Sequence, residues 1–127
     1  TFILIQIIPV SRNNPLIEQD VTAPKEVKNI LRRSCYDCHS NETKWPWYSY
    51  IAPVSWLIAY DIYEARDELN FSTWQKYRSK EKRKIRKDIW DEVEDGDMPL
   101  VSYLLMHPNA RLSREEKRIL RHWANSR

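Results

Sequence analysis

Glycine is almost missing from this sequence: Gly96 stands alone among 127 residues. That scarcity excludes a Gly-rich phosphate loop and a dinucleotide-binding βαβ unit, and it argues against hairpins built on Gly turns. Cysteine is nearly as scarce. The two present, Cys35 and Cys38, are too few for a small domain held by disulfides. Phenylalanine is down to two, whereas there are six Trp and seven Tyr. The aromatic material is therefore mostly of the kind that keeps a polar tip in water. A strong excess of one charge is missing too. With 21 basic and 18 acidic residues the net charge is +3, which gives no reason to expect a nucleic-acid partner. The apolar opening run, Phe2 to Val10, is shorter than the roughly 20 residues a helix needs to cross a bilayer.

What is there centres on Cys35-Tyr36-Asp37-Cys38-His39. This C-x-x-C-H pattern reads as a c-type haem attachment site. Two thiols one helical turn apart can reach the two vinyl groups on one edge of a porphyrin. The histidine that follows brings its imidazole to the iron as the proximal ligand. Three rival readings stay open beside it. A thioredoxin-type redox pair wants a βαβ context, which the sequence lacks. A zinc site would need two histidines beside the two thiols, and the adjacent Cys38 and His39 fit one tetrahedron poorly. A plain disulfide would form in an oxidising compartment if haem attachment failed.

Along the chain the periods are helical. One domain is expected, with residues 1–21 as a lead-in and 22–127 as the haem-binding domain. The opening apolar run is read either as the trimmed end of a signal peptide or membrane anchor, giving membrane association through the N-terminus, or as an element covering the core. Thr22 is a candidate cap for a helix carrying Val27, Ile30 and Leu31 on one face and ending at the motif. The segment from Trp45 to Trp56 is rich in Trp and Tyr. It is read as a wall of a haem cleft, with Trp47, Tyr48 and Trp56 packing the macrocycle. A long helix is expected over 53–70, with Val54, Leu57, Ile58, Ile62, Ala65 and Leu69 facing inward. Ser72 and Gln75 suggest a capping box for another helix, and Ser113 with Glu116 another for the last one. Between them, 79–95 carries basic residues first and acidic residues last, against the helix dipole, and Gly96 stands where a helix C-cap would. The basic stretch Lys80 to Lys87 is a candidate docking patch for an acidic redox partner, or a solvated helix face.

The sixth iron position has a candidate in Met98, on a Gly96-Asp97-Met98-Pro99 loop 59 residues after His39. A His/Met pair raises the reduction potential and suits electron transfer. Met106, His107 and His122 are the alternatives, and an open site would suit a haem-based gas or redox sensor or a peroxidase-like domain.

Several blocks together resemble the bacterial haem-binding domain family of c-type cytochromes. These are the run from Cys35 to Asn41, Trp45-Pro46-Trp47-Tyr48, Ile51 to Trp56, Leu69 to Trp74, Gly96 to Leu100, and Leu112 to Glu116. The resemblance implies an all-α, cytochrome-c-like helical domain with a Trp-rich insert between the attachment motif and the distal-ligand loop. It implies one haem c held covalently through Cys35 and Cys38, with His39 as proximal and Met98 as distal ligand. It also implies a periplasmic setting, and terminal helices that cross near the haem edge. The function expected is that of a monohaem electron carrier with a redox partner protein, rather than an enzyme.

Overall fold

The computed structural model describes residues 1–126. Over these residues the chain is all-α, and no sheet forms; one isolated parallel bridge joins Gln19 to Thr73. The helices are α1 (Phe2–Ile5), α2 (Lys25–Ser34), α3 (Tyr36–His39), α4 (Val54–Glu68), α5 (Ser79–Glu94), α6 (Val101–Met106) and α7 (Arg114–Ala124). Single 3₁₀ turns lie at Trp47–Tyr50, Trp74–Lys76 and Pro108–Ala110.

Helices α2, α5 and α7 build the core. Helix α2 buries Val27, Ile30 and Leu31, α5 contributes Val93, and α7 contributes Leu120 and Trp123. Tyr36, Phe71 and Trp74 fill the space between them, with Tyr36 stacked on Phe71 at 5.3 Å between ring centroids. Helix α2 starts at Lys25 after Pro24, so Thr22 does not cap it. Pro24 has no N–H to lose at a helix start, and its fixed φ suits that place. Helix α7 starts as expected. The Ser113 Oγ accepts from the Glu116 N–H (3.1 Å), and the Glu116 carboxylate accepts from the Ser113 N–H (2.9 Å).

One expectation fails and another holds only in part. The Ser72–Gln75 capping box forms no helix beyond the turn at Trp74–Lys76. Ser72 is fully buried, and its Oγ accepts from the Asn41 N–H instead. Helix α4 keeps only part of the expected face inside: Ile62 is buried and Ile58, Ala65 and Leu69 are half-buried, but the start of the face is not. Ser55, Ala59 and Ile62 point inward, whereas Val54 and Leu57 are exposed. Small residues let α4 sit close to α3 and to the turn at Trp47–Tyr50, against both of which it packs. The close approach decides which face goes in. The opening run does not cover the core either: α1 has no buried residue.

The end of α5 fixes the next loop. Gly96 has φ +79°, the left-handed conformation that glycine adopts at no steric cost. Its N–H donates to the Val93 carbonyl (3.1 Å), and the Asp97 N–H donates to that of Glu92 (2.9 Å). These two bonds make a Schellman stop. The Met98 N–H then donates to the same Glu92 carbonyl (3.2 Å), so the helix end sets the position of Met98.

Candidate cofactor-binding site

Helix α2 ends at Ser34 and the chain turns at Cys35, whose φ of −127° breaks the helix. The one-turn helix α3 then carries the rest of the motif. This break, together with the fixed loop after α5, opens a cavity of about 680 Å³ between α3, α4, α5 and the Met98 loop. Cys35, Cys38, His39 and Met98 all line it. Its volume lies within the range of roughly 300–1,000 Å³ usual for clefts that hold organic ligands.

His39 is held from two sides. Its Nδ1 lies 3.0 Å from the Ala65 carbonyl oxygen and 3.1 Å from that of Leu69. Carbonyls only accept, so Nδ1 carries the proton and donates, and Nε2 keeps its lone pair. Metal-binding histidines are usually oriented in this way, with the second nitrogen tied to a carbonyl. Burial pushes the His39 pKa down, against the two backbone hydrogen bonds, and favours the neutral ring that can ligate. The His39 carbonyl accepts from the Phe71 N–H (2.7 Å). Behind it Asn70 Nδ2 donates to Asn41 Oδ1 (2.8 Å), and Asn70 Oδ1 accepts from the Ser72 N–H (2.9 Å). Arg66 adds bonds to the Ser40 carbonyl (2.8 Å) and to Thr43 Oγ1 (2.8 Å).

Both cysteines are free thiols. Burial pushes Cys35 up to about 12, with Cys38 beside it adding to the effect. Burial, then the charge of Asp37, pushes Cys38 up to about 11. The βαβ context that a thioredoxin-type pair wants is absent over the described residues, where no sheet forms. Over the described residues, no group of three or more His, Cys, Asp and Glu side chains is placed to hold a metal ion. The zinc reading therefore lacks its ligands.

The lining divides in two. Leu69, Phe71, Ile85, Ile89, Val93, Pro99 and Leu100 make apolar walls. Asp61, Glu64 and Glu68 from α4 and Asp88, Asp91 and Glu92 from α5 add six carboxylates, and among the described residues no Lys or Arg lines the cavity. A flat apolar macrocycle with an iron fits this donor set. The walls suit its faces, a neutral imidazole and a thioether suit the metal, and two thiols suit its edge.

Trp47, Tyr48 and Trp56 do not line the cavity. Trp47 is 69% exposed and Trp56 37%. The turn at Trp47–Tyr50 packs on the N-terminal half of α4, whereas the cavity is bordered by that helix's C-terminal half, Asp61 to Glu68. Met106 is half exposed, His122 lies exposed on α7, and neither lines the cavity. His107 is engaged elsewhere: its Nε2 is 2.7 Å from the Tyr48 hydroxyl, and its ring stacks on Tyr103 at 4.4 Å.

Tyr103 is a residue the sequence reading missed. It lines the cavity, and its hydroxyl donates to Asp37 Oδ2 (2.7 Å) inside the C-x-x-C-H motif. It thereby joins the Met98 side of the cavity to the cysteine side. Burial, followed by the hydrogen bond to Asp37, raises its pKa and keeps the phenol protonated as the donor. Arg66, Asn70 and Asn41 also went unassigned, although the last two fall within the sequence blocks around the motif and after α4.

No curated protein and no solved structure matches the chain. One protein-family model, described as the Haem-binding domain, matches residues 1–126, and the chain belongs to that family.

Proposed function

We propose that this haem-binding domain is a monohaem c-type electron carrier working in the periplasm. The observation that supports it best is the meeting of Cys35, Cys38, His39 and Met98 on one cavity, with His39 Nδ1 already committed to the backbone. Cys35 and Cys38 would hold the haem as thioethers. His39 Nε2 and the Met98 thioether would be the axial donors. The bound group supplies a one-electron Fe(III)/Fe(II) couple. The chain's own task is then to hold both ligands still and keep water off the ring faces, which the Leu69, Phe71, Ile85 and Val93 walls do.

The carboxylates around the mouth favour a partner with a basic face there. The acidic partner expected from Lys80 to Lys87 would dock on the basic side chains of that stretch, none of which lines the cavity, although Ile85 between them does. Charge reversal separates the two. Glu64→Lys should slow electron exchange with a basic partner, and Lys80→Glu should leave it unchanged.

Mass spectrometry under denaturing conditions tests the attachment. Protein made with the haem-attachment machinery should keep the mass of one haem. A bare polypeptide mass would remove the c-type reading. A sensor or peroxidase-like domain needs a displaceable sixth ligand, and rapid carbon monoxide binding by the reduced protein would favour that second reading.

A further inference from the structure

Two stretches of this chain, residues 1–11 and 45–60, contain no Asp, Glu, Lys, Arg or His, although 31% of the chain is charged. They are far apart in sequence and lie together in the fold. Gln6 Nε2 donates to the Ala52 carbonyl (2.9 Å), and the Ala52 N–H donates back to Gln6 Oε1 (2.9 Å). Farther along, Arg12 donates to the Ser49 carbonyl (3.2 Å) and lies 4.1 Å over the Tyr50 ring. The joined surface exposes large apolar side chains. Ile3 is 78% and Ile7 80% exposed on one side, and Trp47 69%, Leu57 62% and Tyr60 63% on the other. Charges resume only at its edges, at Arg12, Lys44 and Asp61.

We propose that this face lies against a lipid bilayer, with the 1–11 side chains and the Trp47–Tyr60 segment entering the interfacial layer together. Soluble proteins rarely expose a contiguous apolar patch of this kind without a use for it. The composition favours lipid over protein. Aliphatic side chains mixed with Trp and Tyr, bounded by charge, match what sits at the level of lipid headgroups. The apolar groups protrude from α1 and the turn after it, from the turn at Trp47–Tyr50 and from the first half of α4. None of Ile3, Ile7, Trp47, Leu57 or Tyr60 lines the haem cavity, so the proposal does not depend on the electron-transfer reading. No described helix is long and apolar enough to cross a membrane, and the contact proposed is that of apolar side chains in the interfacial layer. Helix α4 leads from this face to the cavity. From Leu57 to Glu64 it advances only about 10 Å, which would bring the cavity mouth close to the headgroups.

Flotation of the full chain with phosphatidylcholine vesicles tests this. The chain should float with zwitterionic vesicles, and the bound fraction should be unchanged by high salt, since the contact is apolar. The double variant Trp47→Glu, Leu57→Glu should bind at least about tenfold more weakly. Both positions are exposed, so its helix content should match the parent by circular dichroism. Lys84→Glu, on the outer face of α5, should bind like the parent. Failure to float, release by salt, or unchanged binding of the double variant would overturn the proposal. So would concentration-dependent dimerisation in light scattering that this variant abolishes, since it would assign the face to a second copy of the chain.

Discussion

The two sides of the haem cavity are built to different standards. The cysteine side is locked. His39 is fixed through Nδ1 and through its own carbonyl, and the chain after it is tied by Asn41, Asn70, Ser72 and Arg66, the first three of them buried. The methionine side is set at its start by the Schellman stop at Gly96 and then lightly held. Helix α6 buries no residue, and its ties to the other side are the bonds of Tyr103 to Asp37 and of His107 to Tyr48. If His39 and Met98 hold the iron as proposed, a rigid ligand on one side and a lightly clasped one on the other would make the sixth position the one to yield. The distal ligand is therefore where a carrier could be turned into a ligand-binding protein.

If the cysteine side is the rigid one, damage there should cost the most. Asn70→Ala strands the buried Ser72 N–H and the Asn41 amide oxygen. It should lower stability by about 3 kcal/mol in urea unfolding, since each buried polar group left unpaired costs about 1–3 kcal/mol. A loss below about 1 kcal/mol would mean that this network is not what holds His39.

The helix that delivers the motif has its own clamp, which pH can read. Arg33 at the end of α2 pairs with Glu116 in the first turn of α7 at 2.5 Å. The hydrogen bond from Arg33 lowers the Glu116 carboxyl from the ordinary 4.5 to about 2. A lowered folded pKa favours the charged form in the folded state. The stabilisation is thus complete above about pH 4.5 and is lost as pH falls toward 2. With both partners partly exposed, about 1–2 kcal/mol is at stake after screening. Glu116→Gln should be less stable than the parent at pH 7 and should converge with it near pH 2. A difference that persists at low pH would contradict the assignment.

The smallest stability change, and the most selective one, belongs to Tyr103. Tyr103→Phe removes a half-buried hydrogen bond and should cost only about 1 kcal/mol. It loosens the methionine side alone, so carbon monoxide should bind the reduced variant several-fold more tightly than the parent. Unchanged binding would mean that the Asp37 bond does not hold the distal side.

Much of this was legible in the sequence, for identifiable reasons. The C-x-x-C-H motif is readable because its residues are neighbours in sequence, and the structure brings Cys35, Cys38 and His39 to one cavity. The ends of α5 and α7 are readable because Gly96 at positive φ and the Ser113–Glu116 pair are local devices. The inward face of α4 was legible only in part, at Ile62 and its neighbours and not at Val54 and Leu57. Periodicity counts large apolar residues, and here close packing selects Ser55 and Ala59. The Trp-rich segment was misplaced for a related reason. Trp and Tyr serve cores, cofactor walls and membrane interfaces alike, and their identity does not say which way they point. The hydrogen bond from Tyr103 to Asp37 joins residues 66 apart in sequence, a separation that no local pattern bridges.

The central claim is that His39 and Met98 face one iron from the two sides of this cavity. The optical and paramagnetic-resonance spectrum of the oxidised Met98→Ala protein tests it most directly. The parent should be low spin and the variant high spin, with the haem still covalently attached. A low-spin spectrum unchanged by the substitution would contradict the claim and send the search for the sixth ligand elsewhere.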